Sequence, residues 1–325
     1  MNSLTRLALL WCAAFLSTMR AESPIALAIH GGAGALRAEL GAEQEAAARK
    51  ALHEALGAGW KILQAGGSGL DATTACVVAL EDSPLFNAGR GSVLTADGRV
   101  EMDASIMDGA TRKAGAAAGV QGVRNPIRLA RLIMEKTPHV MLIGKGAEDF
   151  ARAEKLAFEP LEWFVTPARV EQLKRAKEKA AGKSAALHLG TVGAVALDRQ
   201  GHLAAATSTG GLANKFPGRV GDSPIIGAGT YAEDGFAAIS CTGHGEDFIR
   251  AAVAHDVVAR MKYLRSSLEA ASREVIEKEL PKIGGDGGLI AVDAAGRVSM
   301  PFNTPGMFRA WMGADGVAHV AIFLE

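Results

Sequence analysis

The chain has 325 residues, 49% of them apolar, enough to bury a full core without help from disulfides or metals. Lys plus Arg equals Asp plus Glu at 35 each, so no overall field favours nucleic acid or an anionic membrane surface, and a small polar molecule is the expected partner. The 39 glycines fall in short runs between apolar segments, with no collagen-like repeat, and read as tight loops at a site.

In chain order, Arg6, the apolar stretch 7–16 and the small residue Ala21 make residues 1–23 a secretory signal peptide by pattern. The apolar run is shorter than the ~20 residues of a membrane span. The bulky Trp11 before Cys12 argues against lipoprotein processing. The mature protein is therefore expected to start near residue 24, exported, periplasmic and free of the membrane. Residues 25–30 form a short apolar run ending in Gly31-Gly32-Ala33-Gly34, a buried strand delivering a glycine loop. Over 42–64, Ala47, Leu52, Leu56, Trp60 and Ile62 recur at helical spacing and Gly66-Gly67 ends the run; 70–81 reads as a second helix.

A hairpin is expected around Thr95, Ala96, Asp97 and Gly98, then helices at 126–136 and 148–158 with a buried strand at 139–143 between them. Residues 168–184 are rich in Lys, Arg, Glu and Ala and fit a solvated helix or a mobile connector. Strand-like segments 191–198 and 203–209 flank a turn ending in Gly201, and 289–293 with 297–300 repeat that pattern, so both read as hairpins. Between them, 246–280 has the periodicity of one long helix or two in succession. This order suggests a layered α/β or α+β domain with antiparallel sheets. Cys76 and Cys241 sit in apolar runs and read as buried free thiols; an exported protein leaves a bond between them open. No Cys or His spacing resembles a zinc site.

Thr191 is the candidate for chemistry. A threonine hydroxyl needs a nearby base, and breaking the Gly190-Thr191 bond supplies one, because the freed α-amine has a pKa near ~8. The same hydroxyl can attack the Gly190 carbonyl, and glycine tolerates the strained approach. Alone, a Gly-Thr pair at a strand start is only a β-branched residue opening a strand. The surrounding motifs change that: Gly190-Thr191-Val192-Gly193, Thr207-Ser208-Thr209-Gly210-Gly211, Pro217-Gly218-Arg219-Val220-Gly221-Asp222, Gly227-Ala228-Gly229 and Cys241-Thr242-Gly243-His244-Gly245-Glu246. With Ile29-His30-Gly31-Gly32-Ala33-Gly34, Leu85-Phe86-Asn87-Ala88-Gly89 and Met102-Asp103-Ala104-Ser105, they span essentially the whole mature chain. The set resembles the plant-type asparaginase and isoaspartyl peptidase family of N-terminal nucleophile hydrolases.

The resemblance implies an α+β fold, a four-layer αββα sandwich, in one domain over 24–325. It implies cleavage into an α-subunit ending at Gly190 and a β-subunit starting at Thr191, with two αβ units pairing as a homodimer. Thr191 is then the nucleophile, Thr209 supports it, and Thr242 with the Gly243 N–H forms the oxyanion hole. Arg219 binds the substrate's α-carboxylate and Asp222 its α-ammonium, a pairing that suits an aspartyl head. Gly245 contacts that head through its carbonyl, and Asn87 borders the nucleophile. Backbone carbonyls of Leu80, Glu81, Ser83, Phe86, Ala88 and Arg90 match a loop that binds a structural sodium ion; no cofactor is implied for catalysis.

Rival readings are weaker. The glycine run after the first strand fails the Gly-x-Gly-x-x-Gly spacing because Leu36 stands at the last position. His244 reads as loop filler, since no carboxylate and histidine set surrounds it in sequence. Gly190, where glycosylasparaginases prefer aspartate, favours L-asparagine and β-aspartyl dipeptides over glycan-linked asparagine. An unprocessed amino-acid-binding protein is the alternative from another class, and the intact reactive positions argue against it. The expectation is an autoprocessed threonine amidohydrolase that passes through a β-aspartyl ester on Thr191.

Overall fold

The computed structural model describes residues 24–180 and 190–324; the signal-like segment 1–23 and the end of the charged connector, 181–189, lie outside the described residues. The first strand is β1 (Ala26–Ala33), followed by α1 (Ala42–Gln64) and α2 (Gly69–Glu81). Next come β2 (Met102–Asp108), β3 (Ala114–Val120), α3 (Pro126–Lys136), β4 (Met141–Ile143), α4 (Gly144–Ala153), the single turn α5 (Leu161–Phe164) and α6 (Pro167–Ala180). The second half opens with β5 (Val192–Leu197), β6 (Leu203–Thr209), β7 (Thr230–Glu233) and β8 (Ala237–Gly243). It continues through α7 (Gly245–Ala251), α8 (Val253–Leu264) and α9 (Leu268–Arg273) to β9 (Gly287–Asp293), β10 (Val298–Ser299), β11 (Met307–Met312) and β12 (His319–Ala321).

Eight strands form one sheet in the order β12-β11-β1-β5-β6-β2-β3-β4, and four form a second in the order β10-β9-β8-β7. One face of the large sheet presents Leu27, Ile29, Val192, Ala194 and Ala206 to the helices carrying Leu52, Leu56, Cys76 and Leu80. Its other face, with Ala28, Val195 and Ala205, meets Ala238, Ile290 and Val292 of the small sheet, whose outer face, with Ile239, packs on Phe248, Val257 and Leu268. Strand alternation sends consecutive residues to opposite faces, so β1 and β5 are apolar throughout because both faces are covered. The result is the four-layer αββα sandwich that the resemblance implies. Cys76 and Cys241 are both free, each buried in a different one of these cores.

The helix ends follow their signals. Ser68 caps α2 by accepting from Asp71 N at 3.1 Å, and Gln44 reaches back to the Gly41 N–H at 3.2 Å ahead of α1.

Several expectations are corrected. β1 runs through the glycines to Ala33 instead of ending at His30, with a register shift between His30 and Gly32. No strands flank Thr95; its hydroxyl bonds Asp97 and Arg99 in a closed turn. The strand expected at 139–143 is only Met141–Ile143, partly exposed at the sheet edge and parallel to β3, so the large sheet is mixed. The helix placed at 148–158 starts at Gly144 and ends at Ala153. The segment 246–280 is broken at Ala252 and Arg265, with left-handed φ of 48° and 58°, and continues past α9 as a π-helix over Glu274–Glu279. Neither break carries a Gly or Pro to announce it.

Close helix-on-sheet packing gives a test. A Cβ on Gly115 of β3 would overlap the Ala130 carbonyl oxygen of α3 and lie 2.6 Å from Met134 N. Backbone cannot yield cheaply, so Gly115→Ala is expected to lower stability by roughly 1–3 kcal/mol, measured as a drop in denaturation midpoint with an unchanged m-value.

Candidate active site

Thr191 is the residue immediately before β5 and is 5% exposed. Its Oγ1 donates to Thr209 Oγ1 at 3.1 Å, and Thr209, at the end of neighbouring β6, also accepts from Gly211 N at 2.9 Å. Asn87 braces this strand end: its Nδ2 donates to Gly211 O at 2.7 Å and its Oδ1 accepts from Val93 N at 2.9 Å. The structure thus gives Asn87 a bracing position under the Thr209–Gly211 turn.

On the other side of Thr191 the backbone is crowded. A Cβ on Gly190 would overlap Thr242 Oγ1 and lie 2.9 Å from Ala33 N, while one on Gly32 would lie 2.8 Å from Gly190 Cα. Only a glycine fits between β1 and β8 here. Thr242 Oγ1 accepts from Ala33 N at 3.1 Å, which leaves the hydroxyl's own proton to donate elsewhere. Gly243 follows at the end of β8 and shares the cavity with Thr191.

His30 is a site residue that the sequence quoted only as part of a motif. Its Nδ1 bonds the Thr191 carbonyl oxygen at 3.0 Å and its Nε2 bonds Ser240 Oγ at 2.9 Å. Complete burial holds the imidazole neutral, its pKa pushed down to about 3. The carbonyl can only accept, so Nδ1 carries the proton and Nε2 accepts from Ser240. Behind Ser240 the hydroxyls of Thr207, Thr230 and Ser105 follow in a buried chain between the two sheets, ending on the Ser223 carbonyl. Gly193 makes room for it, since a Cβ there would overlap Ser240 Oγ and lie 2.5 Å from His30 Nε2.

The expected binding residues converge. A Cβ on Gly245 would stand 2.9 Å from both Arg219 Nη2 and Asp222 Oδ1. Arg219 is held by a partner the sequence reading left without a role: its Nε and Nη2 donate to the two Glu246 carboxylate oxygens at 2.9 and 2.8 Å. That fork holds Glu246 down at about 2. Asp222 is fully buried, its Oδ2 hydrogen-bonds nothing, and burial pushes its pKa up to about 7. His244 is not filler: it lines the cavity, with Nδ1 2.9 Å from Asp247 Oδ2 and Nε2 3.4 Å from Glu246 Oε2. The acids that sequence failed to find around it are the next two residues after Gly245.

These groups share a cavity of about 400 Å³. Thr191, Thr209, Arg219, Asp222, Gly243 and Gly245 form one part of its lining, and the face of α6 with Gln44 of α1 forms another. The described part of the charged connector, to Ala180, is thus a helix that walls the site. The loop after α2, where the sodium ion is expected, is tightly folded. Gly89 and Gly91, at φ +49° and +103°, fold it so that the Glu81, Pro84 and Phe86 carbonyls crowd the space their Cβ atoms would take, the last two oxygens 2.7 and 2.9 Å away. Glu81 O already accepts from Arg90 N at 2.6 Å and keeps a second lone pair. Among the described residues no group of three His, Cys, Asp or Glu is placed to hold a metal, and no helix is long and apolar enough to cross a membrane.

Comparison with known proteins adds an independent line. Residues 23–322 match the family described as Asparaginase. The isoaspartyl peptidase of Salmonella typhimurium is 52% identical over 310 residues, covering 92% of this chain and 98% of that protein. That of Escherichia coli is 52% identical over 308 residues, covering 92% and 96%. The human isoaspartyl peptidase/L-asparaginase is 44% identical over 303 residues, again covering 92% and 96%.

The Asp222 carboxyl is uncharged below its folded pKa of about 7 but titrates near 3.8 when exposed, so the folded state holds the extra proton between those values. Its contribution to stability is complete below about pH 3.8 and is lost as pH rises to about 7. Asp222→Asn is therefore expected to raise the thermal midpoint at pH 8 and to change it little at pH 4, a difference on the order of a few kcal/mol by calorimetry.

Proposed function

The chain belongs to the asparaginase family, and from that premise we propose that Thr191 is its nucleophile and that Gly190-Thr191 is the bond it cuts in itself. The enzyme hydrolyses the side-chain amide of L-asparagine and the isopeptide bond of β-aspartyl dipeptides. The observation that carries the residue assignment is the Thr191–Thr209 hydroxyl pair in one cavity with Arg219 and Asp222.

Processing starts when Thr191 Oγ attacks the Gly190 carbonyl and the acyl group shifts from nitrogen to oxygen. Water then hydrolyses the ester, leaving a carboxylate on Gly190 and a free α-amine on Thr191. In turnover that amine takes the Oγ proton as Oγ bonds the substrate's side-chain carbonyl carbon. The Thr242 hydroxyl and the Gly243 N–H face the oxyanion, an interaction of ~3 kcal/mol per donor. Collapse transfers the proton to the leaving nitrogen and expels ammonia or an amino acid. Water hydrolyses the β-aspartyl ester and restores Thr191.

Arg219 holds the α-carboxylate and ionised Asp222 the α-ammonium, with the Gly245 carbonyl beside them. The incoming carboxylate meets a guanidinium already engaged by Glu246, and the ammonium meets an acid left without a partner. Backbone carbonyls of Leu80, Glu81, Ser83, Phe86, Ala88 and Arg90 would hold a sodium ion, whose charge would steady the turn around Asn87. Export to the periplasm and pairing of two αβ units complete the reading.

Three results are expected. Purified protein gives two bands of roughly half the mass each on a denaturing gel and releases ammonia from L-asparagine; a single persistent full-length band with no ammonia would remove Thr191 as the nucleophile. Gly190→Ala, whose new Cβ meets Thr242 Oγ1, slows self-cleavage by at least about tenfold, or ~1.4 kcal/mol in the barrier, in a time course of band conversion. Because Asp222 must lose its proton to hold an ammonium, the Kd for L-aspartate rises by about tenfold per pH unit below its pKa of about 7 and is flat above it, read by titration calorimetry.

A further inference from the structure

An aspartyl head accounts for only part of the cavity at Thr191. A second wall is α6, which contributes Arg169, Glu171, Gln172 and Arg175, with Gln44 from the first turn of α1, and the apolar Leu212 and Ala213 add no charge to it. Two of these charges neutralise each other: Arg175 Nε lies 3.2 Å from Glu171 Oε1 at the exposed edge. Arg169 is different. It is 4% exposed, its Nε donates to the Gly91 carbonyl, its Nη1 donates to Gln172 Oε1 at 2.8 Å, and its Nη2 hydrogen-bonds nothing. No carboxylate among the described residues forms an ion pair with it. Burial alone pulls its pKa down to about 10, with no acid opposing the shift.

A buried guanidinium without an anion is costly, and it persists where a ligand supplies the missing charge. The two substrates differ in that respect. L-Asparagine releases ammonia, whereas a β-aspartyl dipeptide releases an amino acid with a free α-carboxylate. With Arg219 and Asp222 taken by the head, that carboxylate has the α6 wall left to meet. Resting on the reading of Thr191 as an aspartyl-amide nucleophile, we propose that Arg169, flanked by Gln172 and Arg175, forms a subsite for the leaving amino acid's α-carboxylate and thereby favours β-aspartyl dipeptides. This assigns a binding role to the helix just before the cleavage point.

The test compares processed wild-type enzyme and variants on β-aspartyl-leucine and on β-aspartyl-leucinamide, which lacks only the terminal carboxylate. The ratio of kcat/KM for the acid to that for the amide is expected to fall about tenfold in Arg169→Gln, the value of one charge-assisted contact, mainly through KM. Arg169→Lys, which keeps the charge, retains most of the ratio. Arg175→Glu, on the exposed edge and safe for folding, lowers it by placing an acid beside the subsite, and carries the test if Arg169→Gln does not fold. An unchanged ratio in Arg175→Glu and Arg169→Gln, or equal losses on acid and amide, would overturn the subsite. Wild-type turnover of L-asparagine with no preference for the acid over the amide would remove the subsite and leave the nucleophile standing. Turnover of none of these substrates would remove both.

Discussion

One buried imidazole joins the two sheets at the point where chemistry is placed. His30 donates from Nδ1 to the Thr191 carbonyl and accepts at Nε2 from Ser240, so β1 and β8 both fix the residue that opens β5. Its tautomer follows from its neighbours: a neutral ring between a carbonyl, which can only accept, and a hydroxyl, which can do either, has one consistent arrangement. The hydroxyls of Thr207, Thr230 and Ser105 extend that order across the interface between the sheets. Such a network rigidifies a core when every member is satisfied. Here it immobilises the main chain of Thr191 and leaves its side chain to Thr209.

The charged groups behave in the opposite way. Arg219 is preorganised by the Glu246 fork, while Asp222 is buried with its Oδ2 hydrogen-bonding nothing, so its ionised form is destabilising to the empty protein. Arg169 on the α6 wall is similar in part: Gly91 and Gln172 accept from it, but its Nη2 hydrogen-bonds nothing and no carboxylate among the described residues pairs with it. Under the proposed reading, stability given up at such positions is what a zwitterionic ligand would restore on binding.

Much of this was legible in the chain. Covered strands such as 192–197 are continuous apolar runs, α1 and α3 have the bounds their periodicity predicts, and the glycine motifs marked where backbones approach. Thr191, Thr209, Arg219, Asp222, Thr242, Gly243 and Gly245 do converge on one cavity region or its edge. What was not legible depends on distance in sequence. The His30–Ser240 bond spans 210 positions, and Arg219 lies 27 residues from the acid that holds it. Glu246 closed a recognised motif without a role because nothing local shows what a carboxylate will face. The charged composition of 168–184 signalled a solvated segment correctly on one side of α6, but composition cannot show that the other side roofs a cavity. At the break at Ala252 the N–H groups of Ala254 and His255 leave the helix ladder and donate to Ala228 O and Gly227 O at 3.1 and 2.9 Å, partners distant in sequence.

The strand order of the large sheet sets what the proposed self-cleavage would accomplish mechanically. Before residue 190 the chain contributes β1 to β4, and after it β5, β6, β11 and β12. In space β1 is clasped between β11 and β5, and β6 lies between β5 and β2. In the large sheet each piece is therefore a set of fingers laced through the other, and only the small sheet β7 to β10 belongs wholly to one of them. A cut at Gly190-Thr191 frees two chain ends without freeing two bodies. With Cys76 and Cys241 unbonded, the halves stay together by shared ladder and core alone, and they separate only by unfolding. Severing the backbone is thus compatible with keeping the precision of the site, because the join it removes was never the one holding the halves in register.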